Sequence, residues 1–172
     1  LSAKAKSKVI YTSIALFVKY SEVKTIGVTG TRGKSTTVAL ITKILEEFYP
    51  DQIISGGNIA GTSCLELFNQ QQGKRFAVLE LSSFQLHNFH DLQISPNISV
   101  ITNLYPDHLN RYPDMASYQR DKEAICKYQK ESDLCLYNSG NPGAGAIAST
   151  TSAKRISYTS DSVEGWQTQL PG

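Results

Sequence analysis

Apolar residues fall along this chain in two alternating rhythms. Short, nearly continuous apolar stretches rich in β-branched residues occur around Ile26 and Val28, at Ile53-Ile54-Ser55, in Phe76–Leu81 (FAVLEL), in Ile98–Thr102 (ISVIT) and in Leu134–Tyr137 (LCLY), with shorter candidates at Val9-Ile10-Tyr11, Ile156-Ser157-Tyr158 and Gly165-Trp166-Gln167. Runs of this length predict buried strands. Between them apolar positions recur three and four apart: Val38, Ile41, Ile44, Leu45 and Phe48 share one face of a predicted helix. Further helices are expected over Ile14–Tyr20, capped by Thr12 or Ser13, over Thr62–Phe68, as a turn or short helix in Ser82–Phe89, over Met115–Tyr128, and at Ala144–Ala148. Gly56–Gly61 reads as a tight loop and Pro50-Asp51 as a break.

Strands that alternate with helices and are apolar throughout imply an α/β fold of three layers, a mostly parallel sheet with helices on both faces. Ligands of such sheets bind beyond the carboxyl ends of the strands. Three stretches rich in chemistry fall there: the turn after the first strand, Glu80 near the end of FAVLEL, and Asp107-His108 after ISVIT. They are distant in sequence and expected to converge in space.

The turn after the first strand reads Gly30-Thr31-Arg32-Gly33-Lys34-Ser35 and opens the amphipathic helix. Strand, glycines, Gly-Lys-Ser and helix, in that order, describe a phosphate-binding loop. Glycines let the backbone turn tightly and approach an anion. The unpaired N–H groups and dipole of the helix start favour negative charge. Lys34 can reach a terminal phosphate, and the Ser35 hydroxyl can ligate Mg²⁺. The spacing is a variant: the common G-x4-G-K-S pattern needs a glycine where Val28 stands, whereas this chain has Gly27, Gly30 and Gly33.

Glu80 interrupts an apolar strand, and a carboxylate there is costly unless it is paired or metal-bound. Beside Ser35 it would complete a Mg²⁺ site; otherwise it is a strand-end carboxylate facing water. Lys122 shares a helix face with Tyr118 and Ile125, at i, i+4 and i+7, and is expected to pack inward. A buried lysine has a lowered pKa and its neutral amine can react with CO₂ to give a carbamate, an anionic metal ligand. The bland alternative is an amine that snorkels to water. His87 and His90 read as structural.

Composition narrows the function classes. The 172 residues suffice for one domain with a full core. A net charge of +2, from 17 basic and 15 acidic residues, excludes a nucleic-acid binder that works through a strong basic field. No apolar run approaches a membrane span. Cys64, Cys126 and Cys135 have no C-x-x-C spacing and suit a reducing cytosol. The single methionine is Met115 and the chain opens on Leu1, so a fragment of a longer protein is expected.

VTGTRGKSTT, GGNIAG, LELSSFQL and NLYPDHLNRYPDMASYQRDK, in this order, resemble motifs of the Mur ligases, the ATP-dependent amino-acid ligases of peptidoglycan synthesis. The resemblance runs from about Val9 to Gly172. It implies a P-loop-type ATPase domain, the central one of three. Residues 1–20 would then be the tail of a preceding UDP-binding domain and residues 21–172 the central domain, followed in the family by an amino-acid-binding domain. LELSSFQL resembles the branch that adds D-glutamate to UDP-N-acetylmuramoyl-L-alanine. By this resemblance Thr31, Arg32, Gly33, Lys34, Ser35, Thr36 and Thr37 would cradle the ATP phosphates. Ser35 and Glu80 would hold a first Mg²⁺, and His108 with a carbamylated Lys122 a second. Asn58, Ser82, Gln85 and His108 would contact the UDP-muramoyl substrate. Lys34, Glu80, His108 and Lys122 would carry catalysis, through an acyl phosphate. A bacterial, cytoplasmic, monomeric enzyme is expected, with small-molecule substrates and no nucleic-acid partner. Arg32 departs from the asparagine usual in the family. The family also continues, past a point matching Gly172, into a His-Asn stretch that contacts adenine, so this chain alone is expected not to ligate. Two other readings stay open: a ligase of the same superfamily for another amino acid, folylpolyglutamate-type ligases included, and a module that binds nucleotide without ligating.

Overall fold

The computed structural model describes residues 11–58 and 64–159. The expected strand at Gly165-Trp166-Gln167, most of Val9-Ile10-Tyr11 and the end of the Gly56–Gly61 stretch lie outside them. The elements are α1 (Ser13–Tyr20), β1 (Lys24–Thr29), α2 (Lys34–Phe48), β2 (Ile53–Gly57), α3 (Glu66–Gln70), β3 (Phe76–Glu80), α4 (Ser83–Leu92), β4 (Ile98–Ile101), α5 (Met115–Glu123), β5 (Leu134–Asn138), α6 (Pro142–Ala148) and β6 (Lys154–Tyr158).

The six strands form one sheet in the order β2-β3-β1-β4-β5-β6, every pair parallel. β1 lies inside it: the chain first leaves to the β2–β3 side, then crosses to β4, so the connections diverge from β1. The carboxyl end of β1 is therefore a topological switch point, where open α/β sheets bind ligands.

Alternation along the strands sorts the core into two clusters. Ile26, Val28, Val78 and Val100 face α2 and meet its Val38, Ile41 and Leu45. Ala77, Leu79, Ile101 and Cys135 face the opposite side, where Phe17 of α1, Leu67 of α3, Leu86 and Phe89 of α4, Tyr118 of α5 and Ile147 of α6 cover them. Each fully buried aliphatic or aromatic side chain contributes about 1.5–3 kcal/mol. α1 falls within the residues expected to form the tail of a preceding domain, and its Ile14, Ala15 and Phe17 are buried in this domain's core. Thr12 is its N-cap.

Two elements differ from expectation for local reasons. Gly56 and Gly57 do not form a loop but extend β2 alongside Leu79 and Glu80. Gly57 has φ +100, and a side chain there would strike the Glu80 carbonyl, so only glycine lets β2 run this close. The helix expected to reach Tyr128 ends at Glu123. The hydroxyl of Ser95 donates to the Ala124 carbonyl at 2.8 Å and accepts from the Tyr128 N–H at 3.0 Å. It stands between the two groups whose direct i→i−4 bond would have continued the helix.

Candidate functional site

The Gly-Lys-Ser turn leaves β1 at the switch point. Gly33, in the left-handed region at φ +81, is the N-cap of α2, and no side chain caps that helix start. Its four first N–H groups are thus left for something else. The amides of Gly33, Lys34, Ser35 and Thr36 have no acceptor among the described residues. Those of Thr31 and Arg32 do: both donate to the side-chain oxygen of Asn103, at 3.1 and 2.9 Å. The anion cradle is therefore narrower than the expected span from Thr31 to Thr37. Thr37 is also committed, its N–H and hydroxyl both reaching the Gly33 carbonyl. Lys34 Nζ folds back to the carbonyls of Gly30 and Thr31, at 3.1 Å each. The Arg32 side chain is on the exposed rim.

Parallel pairing sets Val28 beside Glu80, which brings the end of β3 under the loop. Glu80 is 3% exposed. Its carboxylate accepts from the Ser35 hydroxyl at 2.6 Å and from the Asn58 side-chain amide at 3.2 Å. No lysine, arginine or histidine among the described residues forms an ion pair with it. A buried carboxylate with only neutral partners, next to a hydroxyl oxygen, fits a hard divalent cation that takes oxygen ligands, such as Mg²⁺.

Lys122 is buried on the inward face of α5, as its spacing with Tyr118 predicts. Its Nζ donates to the Gly30 carbonyl at 3.1 Å and to Thr29 Oγ1 at 3.3 Å, and lies 4.9 Å from the centre of the Tyr118 ring. Burial, and then the nearby Lys34 charge, lower its pKa to about 7. Lys34 and Lys122 thus meet at one carbonyl oxygen, that of Gly30.

His108 sits at φ +56 in the turn after β4, half-exposed, its ring 5.9 Å from that of Tyr118 and 5.5 Å from that of Phe84. It shares Tyr118 with Lys122, and its Nε2 is 3.7 Å from Asp107. In its protonated form Lys122 has no lone pair for a metal, and its Nζ is engaged by two oxygens of the loop, the Gly30 carbonyl and Thr29 Oγ1. No cluster of three or more His, Cys, Asp or Glu among the described residues could hold a metal. His108 and Lys122 are brought to the same ring, Tyr118, with the Lys122 amine turned to the loop oxygens.

Ser82 and Gln85, expected at a substrate, form a capping box at the start of α4. Gln85 Oε1 accepts from both the N–H and the hydroxyl of Ser82, at 3.0 Å each. The side-chain nitrogen of Gln85 has no hydrogen-bond partner among the described residues. His90 bonds the Tyr128 hydroxyl and the Arg120 carbonyl, and His87 pairs with Asp121 at 2.9 Å, consistent with structural roles.

Sequence reasoning passed over Asn103, Thr102 and an aromatic cluster. Phe84 stacks on Tyr112 at 5.6 Å, and the Arg111 guanidinium lies over the Phe84 ring, 5.7 Å from its centre. The Tyr112 hydroxyl donates to Asp121, and burial pushes its pKa up to about 12. The one signal in the sequence was an apolar Phe84 two positions after Ser82; the structure leaves that ring exposed.

Residues 28–169 match the Mur ligase middle domain. A UDP-N-acetylmuramoylalanine--D-glutamate ligase of Borreliella burgdorferi (strain ZS7) is 44% identical over 119 residues, which cover 69% of this chain and 26% of the relative. The enzyme of the same name from Fervidobacterium nodosum is 35% identical over 163 residues, covering 94% of this chain and 38% of the relative. Among solved structures, a UDP-N-acetylmuramoyl-L-alanyl-D-glutamate--2,6-diaminopimelate ligase aligns with a TM-score of 0.63 at 22% identity, over 84% of this chain and 34% of that one. The MurF ligase from Thermotoga maritima in complex with ADP aligns at 0.62 and 17%, over 88% and 36%. At these identities the two structures speak for the fold alone.

Proposed function

The chain belongs to the family of Mur ligase middle domains, and from that premise we propose that it is the ATP-binding central domain of a ligase that adds D-glutamate to UDP-N-acetylmuramoyl-L-alanine in peptidoglycan synthesis. The observation that carries the reading is the buried Glu80 carboxylate held 2.6 Å from the Ser35 hydroxyl, directly under an uncapped Gly-Lys-Ser helix start. A module that only binds nucleotide has no need of Lys122 and His108 around the same loop. The relatives named D-glutamate ligases favour that amino acid over another.

In the proposed reaction a carboxylate oxygen of the acceptor attacks the terminal phosphorus of ATP, and the bond to ADP breaks. The acyl phosphate is then attacked at its carbonyl carbon by the amino nitrogen of D-glutamate, and phosphate leaves from a tetrahedral intermediate. The N–H groups of Gly33 to Thr36 hold the phosphate chain, and Lys34 turns from its loop carbonyls to the terminal phosphate. Ser35 and Glu80 would hold Mg²⁺, whose charge offsets that of the phosphates. The work of the site is positioning and charge cancellation rather than covalent chemistry. Asn58, Ser82, Gln85 and His108 would orient the acceptor. Of the Ser82–Gln85 capping pair, Gln85 would offer its side-chain amide nitrogen. Carbamylation would turn Lys122 from a donor into an anionic oxygen ligand, the form in which it and His108 fit a second Mg²⁺.

The chain spans 26% and 38% of the two curated relatives compared above. We accordingly read it as one domain of a longer, monomeric, cytoplasmic bacterial enzyme, residues 21–172 central and residues 1–20 leading in from a UDP-binding domain, with α1 of that lead-in packed into the central domain's core. No helix among the described residues is long and apolar enough to cross a membrane. The test is a panel: the full-length protein, ATP, Mg²⁺ and UDP-N-acetylmuramoyl-L-alanine with D-glutamate, L-lysine, diaminopimelate or no amino acid, products read by mass spectrometry. Product with D-glutamate alone supports the reading. Product with another amino acid only, or nucleotide binding without product, rejects it.

A further inference from the structure

The phosphate loop is tied internally by Lys34, which bonds the Gly30 and Thr31 carbonyls, but not by these bonds alone. It is gripped from outside by the residues that leave β4. The Asn103 side chain lies flat against the peptide groups on either side of Arg32. Its Oδ1 accepts from the N–H of Arg32 at 2.9 Å and shares the N–H of Thr31, at 3.1 Å, with the main-chain carbonyl of Asn103, also at 3.1 Å; its Nδ2 donates to the Arg32 carbonyl at 3.0 Å. The Thr102 hydroxyl also reaches the Arg32 carbonyl, at 2.8 Å, and Tyr105 N–H donates to the Thr31 hydroxyl at 2.9 Å. Gly30 makes this approach possible, since a side chain there would strike Thr102 Oγ1. The gripping segment is itself fixed: Asn138 donates to the Thr102 carbonyl at 3.1 Å. Asn141, the N-cap of α6, accepts from Leu104 N–H at 3.0 Å.

We propose that Asn103 is a positioning residue that divides the loop's amides between structure and ligand. It turns the N–H groups of Thr31 and Arg32 inward, onto itself. The amides of Gly33, Lys34, Ser35 and Thr36 are thereby left as the phosphate cradle. Arg32 then contributes its guanidinium alone to any anion, because both polar groups of its backbone are taken. A side-chain amide carries an acceptor and a donor side by side in one plane, so it can meet the N–H and the carbonyl of one residue at once. An aspartate would accept the two N–H bonds but set a carboxylate against the Arg32 carbonyl, and would add negative charge beside the phosphates. The inference rests on the nucleotide-binding reading above and deepens it by naming which amides bind and what sets them.

The experiment uses the full-length protein and three measurements. First, ADP with Mg²⁺ is titrated calorimetrically into wild-type protein, Asn103→Ala and Asn103→Asp. The expected result is a Kd raised about tenfold in Asn103→Ala, the effect of losing a bond network worth one strong hydrogen bond, and raised further in Asn103→Asp. Second, in steady-state assays KM for ATP rises in both variants while KM for the amino acid stays put, a split that a general loss of folding would not produce. Third, amide hydrogen exchange on wild-type protein, which needs no variant to fold, reports the division itself. Thr31 and Arg32 are expected to be protected before nucleotide is added, and Gly33 to Thr36 only afterwards. A folded Asn103→Ala with unchanged ADP affinity overturns the proposal. So does exchange at Thr31 and Arg32 that is fast in the free protein and slowed by ADP. Wild-type protein that binds no nucleotide sinks the reading beneath it instead, and the exchange pattern of the free protein tells the two failures apart.

Discussion

At the scale of single residues, the site is built from polar groups that break an apolar pattern. Glu80 in FAVLEL and Lys122 between Tyr118 and Ile125 were legible in the sequence for that reason, as were Lys34 and Ser35 behind their glycines. Asn103 was not: a polar residue just after a strand looks like any loop asparagine, and its role depends on Arg32, 71 positions away. Lys34→Ala in the full-length enzyme is expected to lower kcat about 10²–10³-fold, the usual loss for one preorganised donor. Steady-state kinetics checks it, and an unchanged rate would mean that Lys34 is not the phosphate lysine. Lys122 carries a prediction about pH. Its pKa is about 7 in the fold against 10.5 for an exposed lysine. Between those values the unfolded chain binds more protons than the folded one, so stability rises with pH across that window. At or below about pH 7 the penalty of burying the charge is fully felt. Urea titrations at pH 7 and pH 9 should therefore show wild-type protein gaining stability relative to Lys122→Met. Parallel curves for the two proteins would contradict the burial of that charge.

At the scale of elements, what the sequence hid were contacts between segments. Helix α5 stops because Ser95, in another loop, takes its next carbonyl and N–H; no cap or breaker in Glu123–Tyr128 announces this. The strand β2 was read two residues short because Gly56-Gly57 is turn-like in isolation, and only the neighbouring β3 makes it a strand. The same pairing supplies a prediction. Gly57→Ala adds a methyl against the Glu80 carbonyl at a φ that side chains disfavour. It should destabilise the fold by about 1–3 kcal/mol. Because Asn58 and Glu80 shift with it, Mg²⁺-dependent ADP affinity should fall as well. Denaturant melts and titrations with and without Mg²⁺ would show both. Loss of stability with intact Mg²⁺ dependence would separate β2 from the metal site.

At the scale of the whole molecule, the alternation of strands and helices was enough to give a parallel sheet and to direct attention to the carboxyl ends of its strands, where Ser35 and Glu80 meet. It did not give the imbalance of the two layers. α2 alone covers one face among the described residues, while five helices lie on the other. Along α2, Leu40, Ile44 and Phe48 are exposed at helical spacing. Ile44 and Phe48 were read as one apolar face with Val38, Ile41 and Leu45, and only the last three of these meet the sheet. The relatives are much longer than this chain, and ligation is expected of the full-length protein and not of these residues alone. Supplied with ATP, Mg²⁺ and both substrates, the chain should bind nucleotide and give no ligated product by mass spectrometry; product would show that it is sufficient. The central claim is that the loop of Lys34 and Ser35, with Glu80, transfers phosphate to a carboxylate. It is tested most directly by labelling the acceptor carboxylate with ¹⁸O and analysing the phosphate released by the full-length protein. The account predicts one ¹⁸O in each phosphate released with product, because the carboxylate oxygen that attacks phosphorus departs with it. Product formed with unlabelled phosphate would contradict it.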